Sequence, residues 1–311
     1  MPKLNVQQNN ANVIKALRNA LAIGQVKGPI ASDGADNFSS AGSNRNLLDN
    51  PFFTINQRGQ ASYTGAVFGV DRWTMAGASG SVVVNSGYLT ISNVAGSPYL
   101  QRLARELKLG KTYTASILLN DGTVNSVTFT TSTQKEYVYQ LGNYYFELDA
   151  RSAYAPNYRF MIYGNSTWTM DIVAAKLELG SVSTLANDVP PEYGTELAKC
   201  QYYCPVIDFP TYGSIAVGYA TSSTTAYFII SLPANIRTLP TMTYSGSLRV
   251  FVPASNSSIS VSGLAVAGSA NTPCSNQIAL SATVASGLTA GQLVVLGGNE
   301  TAGKIILSAE L

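Results

Sequence analysis

Short segments of alternating apolar and polar residues, separated by tight-turn sequences, run through most of the chain after residue 46. Asn85-Ser86-Gly87 separates two such segments, and Asn120-Asp121-Gly122 separates another two. Each triplet has a glycine where a hairpin loop needs a positive φ. Because side chains that alternate with period two face opposite sides of a strand, the pattern predicts an all-β fold built from many short strands.

The predicted strands fall into two groups. Those in the first group are Ser81–Val84, Tyr88–Ile91, Tyr113–Leu119, Val124–Thr130, Tyr144–Leu148, Tyr158–Tyr163 and Trp168–Leu179. Those in the second are Ile215–Ala220, Thr225–Leu232, Ser247–Val252, Ser258–Val261, Gln277–Val284, Gln292–Leu296 and Lys304–Leu311. Many short strands joined by tight turns are typical of β-sandwiches and jelly rolls. No repeat of fixed length indicates a solenoid or a propeller.

A proline-containing segment interrupts the strands near the middle of the chain. In residues 187–204, two prolines precede a run in which Leu197, Cys200 and Cys204 lie on one face of a helix. Because 311 residues exceed what one hydrophobic core usually serves, we interpret this segment as a linker with a bridging helix. The predicted organisation is an N-terminal helix and arm (1–46), a jelly-roll domain (47–186), the linker (187–204) and a second sandwich-type β-domain (205–311).

The N-terminal region carries a short amphipathic pattern over residues 10–23. Its apolar residues recur at helical spacing: Val13, Ile14, Leu17 and Leu21. A helix this short is marginal alone, so its apolar stripe needs a partner, which can be the rest of the chain, copies of itself or a larger assembly. The region lacks the uninterrupted apolar core of a signal peptide, so we expect synthesis in a cytoplasm without secretion.

The composition excludes several classes of function. The chain has no histidine, which removes the usual general base, the usual triad member and the commonest metal ligand together. Charged residues make up only 12% of the chain and the formal charge is +2, so no strong field draws in nucleic acid or an anionic membrane. We therefore expect a protein that is not an enzyme, needs no cofactor and recognises partners through neutral hydrogen bonds and aromatic contacts.

The cysteines and carboxylates offer only weak candidate sites. Cys200, Cys204 and Cys274 are odd in number and are interpreted as buried free thiols rather than disulfides or zinc ligands. A pair of carboxylates could serve a glycosidase, and the candidates are Glu147 with Asp149, and Glu136. The spacing of two residues between the first two favours solvated positions on one strand face.

A structural calcium ion is a further option, because β-sandwich modules hold calcium with aspartate and backbone oxygens. The candidate ligands are Asp49, Asp71 and Asp171. For Asp71, pairing with Arg72, with Arg58 or with a turn amide is the preferred interpretation.

The eighteen tyrosines and two tryptophans are the strongest positive signal, since sugar rings stack on aromatic side chains. Trp73 and Trp168 lie in predicted strands, where core packing explains them at least as well as ligand contact. The candidates for a glycan-binding surface lie near predicted loops or strand ends: Tyr99, Tyr144, Tyr145, Tyr154 and Tyr158. Packing against a neighbouring subunit explains an exposed tyrosine equally well.

Three segments carry a resemblance to a known family. The first reads NLLDNPFFTINQRG (Asn46–Gly59) and continues as YTGAVFGVDRWTM (Tyr63–Met75); it resembles the opening of the carbohydrate-binding-module-like domain common in phage tail and fibre proteins. The closing strand of that domain and the helix that leaves it are similar to Ala174–Tyr203, and the β-domain that follows resembles Ile215–Gly246. The resemblance implies a virion-associated protein, commonly trimeric, with a galactose-binding-like or jelly-roll fold, and it implies no particular ligand.

The leading functional hypothesis is a bacteriophage virion protein, a short tail fibre or receptor-binding-type appendage made in the host bacterial cytoplasm. Residues 1–46 would anchor it, and the β-domains would project outward and bind host surface glycan. Expected partners are other virion proteins, further copies of the chain in a homotrimer and host surface polysaccharide. One alternative is a capsid-attached head fibre or decoration protein. Another is a polysaccharide depolymerase, although such enzymes usually carry a repetitive β-helix for which this chain has no repeats.

Overall fold

The computed structural model describes residues 30–32, 38–40, 43–93, 98–103, 107–108, 110–131, 137–141, 144–149, 159–164, 167–267 and 276–310. The predicted N-terminal helix, with Val13, Ile14, Leu17 and Leu21, lies outside these residues. So do four candidates from the sequence: Glu136, Tyr154, Tyr158 and Cys274.

In this part of the chain, thirteen strands precede the linker: β1 (Ile30–Ser32), β2 (Phe38–Ser40), β3 (Ser62–Thr64), β4 (Thr74–Met75), β5 (Ser81–Val84), β6 (Leu89–Asn93), β7 (Tyr99–Arg102), β8 (Thr112–Leu119), β9 (Val124–Thr130), β10 (Tyr137–Leu141), β11 (Tyr144–Asp149), β12 (Arg159–Gly164) and β13 (Trp168–Leu179). β1 and β2 pair as an antiparallel hairpin within the region predicted to be an arm. The two predicted hairpin turns are confirmed, since Gly87 and Gly122 have φ values of 88° and 87°.

The strands from β3 onward form two antiparallel sheets that enclose one core. The first has the order β10-β11-β12-β7-β4 and the second the order β3-β5-β6-β13-β8-β9. Side chains from both sheets belong to a single buried cluster centred on aromatic rings. Trp73 stacks on Tyr99 with ring centroids 5.4 Å apart and meets the edge of Phe160 at 6.1 Å. This unit is a jelly-roll-like sandwich, and we call it the sandwich below.

The segment predicted to contain a helix does contain one, α1 (Tyr193–Gln201), which follows a short 3-10 turn at Leu185–Asn187. The Glu192 carboxylate caps its first turn by accepting hydrogen bonds from the Gly194 and Thr195 amides at 2.9 and 2.6 Å. Such a cap satisfies amides that have no partner within the helix. Glu196 and Cys200, four residues apart, are its buried residues, so α1 packs along one narrow face.

Among the residues described after α1, nine strands follow: β14 (Val206–Phe209), β15 (Ser214–Ala220), β16 (Thr225–Ser231), β17 (Thr241–Tyr244), β18 (Leu248–Val252), β19 (Ser257–Val266), β20 (Gln277–Val284), β21 (Leu293–Gly298) and β22 (Gly303–Ser308). A second 3-10 turn lies at Pro253–Ser255. Six strands close into a barrel in the order β15-β16-β20-β19-β18-β21, and β14-β22-β17 form a small sheet. We call this unit the barrel; its core is separate from that of the sandwich.

The predicted all-β class is confirmed. The closure of the second unit into a barrel was not predicted, because strands of a sandwich and of a closed barrel show the same alternation of inward and outward residues. Closure pairs β21 with β15 and leaves the six strands without a free edge.

Gly218 on β15 shows how tightly the barrel closes. A Cβ atom at this position would lie 2.6 Å from the Phe228 ring and closer still to the Tyr227 carbonyl oxygen. A Cβ atom at Gly263 on β19 would meet nothing nearer than 3.9 Å. Glycine at position 218 therefore permits a close approach of two strands.

We expect Gly218→Ala to lower the free energy of unfolding by about 3 kcal/mol, because the added methyl group forces the β15 and β16 backbones apart. Gly263→Ala is the matched control in the same barrel and should change stability by less than about 1 kcal/mol. Urea denaturation of both variants measures the difference. Equal effects of the two substitutions would contradict the account of close strand approach.

Candidate functional site

Buried charges join the sandwich to the linker and to the end of the barrel. We call this cluster the joint, and its members are Asp49, Arg58, Asp71, Arg72, Glu196 and Glu310. The first four belong to loops of the sandwich, Glu196 belongs to α1, and Glu310 follows β22. In a chain with so few charged residues, their concentration in one place calls for a physical explanation.

Arg72 is the centre of the joint, and its side chain is only 1% exposed. Its Nη1 atom lies 2.6 Å from Oε2 of Glu310, and its Nε atom lies 3.2 Å from Oδ2 of Asp49. Nη2 donates a hydrogen bond to the Arg102 carbonyl oxygen at 2.8 Å. The guanidinium carbon lies 3.5 Å from the centroid of the Tyr203 ring, which is cation–π geometry. The group thus contacts the sandwich, the linker and the barrel end at once.

The charge of Arg72 is fixed by these neighbours. Burial acts to lower the pKa of Arg72, but the carboxylates of Glu310 and Asp49 outweigh it and raise the pKa. A buried guanidinium whose donors meet carboxylates and a carbonyl avoids the large cost of an unpaired buried charge. Arg72 also has a φ of 73°, a conformation that few non-glycine residues adopt, which indicates that its surroundings hold it in place.

Asp71 links the sandwich to the linker through Gln57. Oδ2 of Asp71 accepts a hydrogen bond from the Gln57 amide at 2.7 Å, and Oδ1 accepts one from Gln57 Nε2 at 3.1 Å. The same Nε2 donates to the Cys204 carbonyl oxygen at 2.9 Å. Arg58 Nη1 lies 3.7 Å from Oδ1. The preferred interpretation of Asp71, local pairing with an arginine or a turn amide, is therefore confirmed.

Burial dominates the titration of Asp71. Desolvation raises the pKa of its carboxyl group to about 6, although the hydrogen bonds from Gln57 and the charge of Arg58 act in the opposite direction. Charges and hydrogen bonds favour the ionised form, but here they do not compensate fully for the loss of water.

Asn50 connects the same loop to α1. Its amide N–H donates to Oε1 of Glu196 at 2.5 Å. Its side chain donates to the carbonyl oxygens of Ile55 and Asp71, both at 2.9 Å, and accepts from the Ile55 amide at 3.0 Å. Asn50 has a φ of 48°, and asparagine adopts this left-handed conformation more readily than most residues. The short polar side chain therefore fixes a tight loop beneath the helix.

Arg237 fastens the linker to the last residues of the barrel. Its amide donates to the Tyr202 carbonyl oxygen at 2.8 Å, and its Nε donates to the Ala309 carbonyl oxygen at 2.8 Å. Its Nη2 donates to the backbone carbonyl of Glu310 at 3.1 Å. The Ala309 amide in turn donates to the Tyr203 carbonyl oxygen at 2.7 Å. These bonds hold the backbone of Glu310 in a position from which its carboxylate pairs with Arg72.

Cys200 and Cys204 are buried free thiols within the joint, as the sequence predicted. Burial raises the pKa of Cys200 far above that of an ordinary thiol, and it raises the pKa of Cys204 to about 12. The thiolate is the reactive form of cysteine, so both side chains are chemically inert at neutral pH. Both are fully buried as small neutral groups.

Outside the joint, the buried Lys176 on β13 holds residues 43–46, the segment that leads into the sandwich. Its Nζ atom lies 2.5 Å from Ser43 Oγ, 2.8 Å from Thr184 Oγ1 and 2.7 Å from Asp188 Oδ1. Glu178 lies further away, at 3.7 Å. Residues 43–46 therefore contact the sandwich directly, although the predicted boundary assigned them to the arm.

A cleft of about 970 Å³ opens beside the joint. Its floor is apolar, with Leu48, Leu103, Leu107 and Tyr113, and basic residues stand around it: Arg45, Lys108, Lys111 and Lys199. Lys199 pairs with Glu196 at 2.7 Å. Tyr202 borders the cleft and is 41% exposed. A cleft of this size and lining can accept a small ligand with an apolar or ring-shaped face.

The sequence prediction for Tyr99 was wrong. Tyr99 begins β7, which lies between β12 and β4 in its sheet, and its side chain is fully buried against Trp73. Proximity to a loop in the sequence did not imply exposure, because the Tyr99 side chain belongs to the core that the two sheets enclose. Trp73 and Trp168 are also buried, which confirms core packing for both.

The other predicted glycan-binding residues stay predictions. Tyr144 and Tyr145 lie in β11, whose backbone pairs with β10 and β12, and their side chains are outside the described part of the structure, as are Tyr154 and Tyr158. The same limit applies to the side chains of Glu147 and Asp149, which also lie in β11.

The candidate calcium ligands occupy different surroundings. Asp171 accepts a hydrogen bond from Thr90 Oγ1 at 2.6 Å, whereas Asp49 and Asp71 belong to the joint. Within the described ranges, no group of three or more His, Cys, Asp and Glu side chains could hold a metal ion. Among the same residues, no helix has the length and the hydrophobicity that crossing a membrane requires.

The sequence analysis missed the joint as a unit. Arg72 and Glu310 are separated by 238 positions, and no spacing rule connects residues so far apart. One signal was nevertheless present in the sequence. Only 12% of the residues are charged, yet four charged residues that play no part in the alternating β-pattern lie close together between residues 49 and 72, within the family-like segments.

We expect Glu310→Gln to lower the free energy of unfolding by about 3 kcal/mol, since it leaves the Arg72 charge buried without its closest partner. Asp208→Asn is the matched control, because Asp208 pairs with Lys304 on the surface and exposed pairs contribute less than about 1 kcal/mol. Calorimetry should show the sandwich and the barrel unfolding together in the native protein and separately in Glu310→Gln. A single unchanged transition in that variant would contradict the role of the joint.

Asp71 should make stability depend on pH. The unfolded chain releases this proton near pH 4, whereas the folded protein holds it up to about pH 6. The folded state therefore binds more protons in this window, and stability falls as pH rises from about 4 to about 6, by at most about 3 kcal/mol. Asp71→Asn should lack this fall, whereas Asp121→Asn, in an exposed turn, should retain it. Urea denaturation between pH 4 and pH 6 measures the free energy of unfolding of each protein. If the difference in that free energy between the native protein and Asp71→Asn did not change with pH, the role of Asp71 would be contradicted.

No protein-family model matches this chain, and no curated protein matches its sequence. Its function is therefore inferred from the geometry above and from the family-like segments.

Proposed function

We propose that the chain is a structural protein of a bacteriophage particle, a short tail fibre or receptor-binding-type appendage that is not an enzyme. The observation that carries this proposal is the joint, in which the buried Arg72 connects the sandwich to Glu310 at the end of the barrel. An appendage has to hold its outer part in a fixed position relative to its attachment point. Two β-units fastened by buried charges have that property, because separating them would expose an unpaired charge.

The family-like segments support this interpretation, because they build the joint. Asn46–Gly59 supplies Asp49, Asn50 and Arg58, and Tyr63–Met75 supplies Asp71 and Arg72. The segment Ala174–Tyr203 supplies Glu196, on α1, and Tyr203, whose ring lies against the Arg72 guanidinium. The residues that resemble phage fibre proteins thus have a structural explanation, namely the connection of one β-unit to the next.

The chemistry of the joint also favours a structural role. The carboxylate side chains of Asp71, Glu196 and Glu310 are at most 2% exposed. Each is occupied by hydrogen bonds or an ion pair. A general acid or base has to come within hydrogen-bonding reach of its substrate, and Asp71 and Glu310 are enclosed away from the cleft. Glu196 borders the cleft, but its carboxylate is engaged by the Asn50 amide and by Lys199.

The proposal also includes binding of host surface glycan by tyrosine side chains. Tyr99 is excluded from it by burial, and Tyr144, Tyr145, Tyr154 and Tyr158 are kept as proposed contacts. The exposure of Tyr202 beside the cleft supports it as an additional stacking surface, because a sugar ring stacks on an exposed aromatic face. Neutral contacts of this kind are individually weak, so adhesion would depend on several copies acting together.

The test is to locate the protein on particles. We expect the chain to copurify with virions and an antibody label to appear at the tail in electron micrographs. A label on the capsid would contradict the appendage in favour of a head fibre or decoration protein, and absence from purified particles would contradict any virion role.

The anchor is tested on the same particles. Leu17→Asp, on the predicted apolar stripe of residues 10–23, should abolish copurification, because a charge on that stripe opposes docking. Asn19→Asp, off the stripe, is the matched control and should copurify normally. Both proteins should fold, because residues 43–46 and everything after them are unchanged. Normal incorporation of Leu17→Asp would contradict the anchor.

A further inference from the structure

The outer face of the barrel carries an exposed apolar patch. On strands that alternate strictly, the inward residues fill the barrel, such as Phe228 and Ile230 on β16 and Val294 and Leu296 on β21. The outward residues between them would ordinarily be polar. On neighbouring strands they are instead large and apolar, and we call the following set the barrel patch: Val217, Tyr219, Tyr227, Ile229, Phe251, Leu293 and Val295.

Strand pairing makes the barrel patch continuous. Tyr219 on β15 lies opposite Tyr227 on β16 and opposite Leu293 on β21. Val217 lies opposite Val295, which in turn lies opposite Phe251 on β18. The rings of Tyr219 and Tyr227 are 5.9 Å apart. Directly opposed side chains in an antiparallel pair are close neighbours, so these residues form one surface across four strands.

The patch is exposed to an unusual degree for apolar side chains. Val217, Tyr219, Ile229 and Leu293 have 60%, 50%, 55% and 59% of their surface accessible. These four residues alone leave on the order of 400 Å² of largely apolar surface in contact with water. Contiguous exposed apolar surfaces of a few hundred Å² on soluble proteins are often functional. The partly exposed Tyr227, Phe251 and Val295 add on the order of 100 to 200 Å², so polar neighbours would supply the rest of the roughly 800 Å² that each partner of a specific interface buries.

The charge of the surface indicates which partner fits. The outward positions of β15, β16, β20 and β21 carry no charged side chain, and Arg249 on β18 contacts the Phe251 and Tyr212 rings at the border of the patch. Copies of one surface face each other in a two-fold dimer and meet round the axis of a three-fold ring, and like charges brought together in this way repel. A neutral apolar surface avoids that repulsion, whereas nucleic acid or an anionic membrane would require basic residues.

We propose that the barrel patch is the contact surface between copies of this chain. The proposal rests on the fibre-type function for its biological setting, in which several copies act at one site, and it assigns the homotrimer expected from the sequence to a defined surface. Association removes the exposed valine, isoleucine, leucine and tyrosine side chains from water and leaves the joint and the cleft outside the contact surface.

The test is the mass of the full-length protein in solution, measured by light scattering after gel filtration at about 50 µM. The native protein should be a multimer, with three chains of 32.8 kDa expected. The double variant Val217→Glu with Leu293→Glu should be monomeric. The matched control, Val182→Glu with Val189→Glu, changes valines that are 69% and 79% exposed outside the barrel and should keep the native mass.

A milder double variant, Val217→Ser with Leu293→Ser, guards against loss of folding. It should show the native circular dichroism spectrum and a dissociation constant between copies that is raised at least tenfold. A monomeric native protein would overturn the proposal and indicate that another molecule covers the patch. Native mass and native dissociation constant in both patch variants would overturn it as well. Because these measurements use the purified protein alone, they fail or succeed independently of the experiments on phage particles.

Discussion

The buried ion pair between Arg72 and Glu310 is the contact on which the arrangement of this protein depends. Its two partners are 238 positions apart in the chain: Arg72 lies in a loop of the sandwich, and Glu310 lies two residues after β22, the last described strand. Replacing such a pair by well-packed apolar groups is often neutral for stability, whereas removing one partner is costly. The pair therefore matters less as a source of stability than as a constraint, because it tolerates only one placement of the barrel end against the sandwich.

The other contacts of the joint follow from that constraint. Arg237 holds the backbone next to Glu310, Asn50 holds the loop beneath α1, and Gln57 connects Asp71 to the linker. Cys200 and Cys204 are buried neutral thiols, and burial has raised the pKa values of both. The raised pKa of Asp71 shows that this arrangement has a cost, since a carboxylate is kept where water would stabilise it better. A rigid connection between two β-units accounts for that cost.

The local parts of the fold could be predicted from the sequence, and the long-range parts could not. Period-two alternation and turn glycines are local signals, so β13 and β20 were predicted with the bounds that the structure has, Trp168–Leu179 and Gln277–Val284. The short strand β4 was missed because two residues are too few to show a period. Tyr99 was misassigned because the packing of one sheet against the other, which buries its side chain, is a tertiary property. The joint was missed for the same reason, since it joins residues whose separation in the chain carries no pattern.

The central claim is that the joint holds the sandwich and the barrel as one rigid body. It is tested most directly by double electron–electron resonance, which measures the distance between two spin labels. The labels would be placed at Ser86, in a turn of the sandwich, and at Thr221, in a turn of the barrel, both of which are exposed. The native joint predicts one narrow distance distribution, and Arg72→Met should broaden it while each unit stays folded. A broad distribution in the protein with an intact joint would contradict the claim.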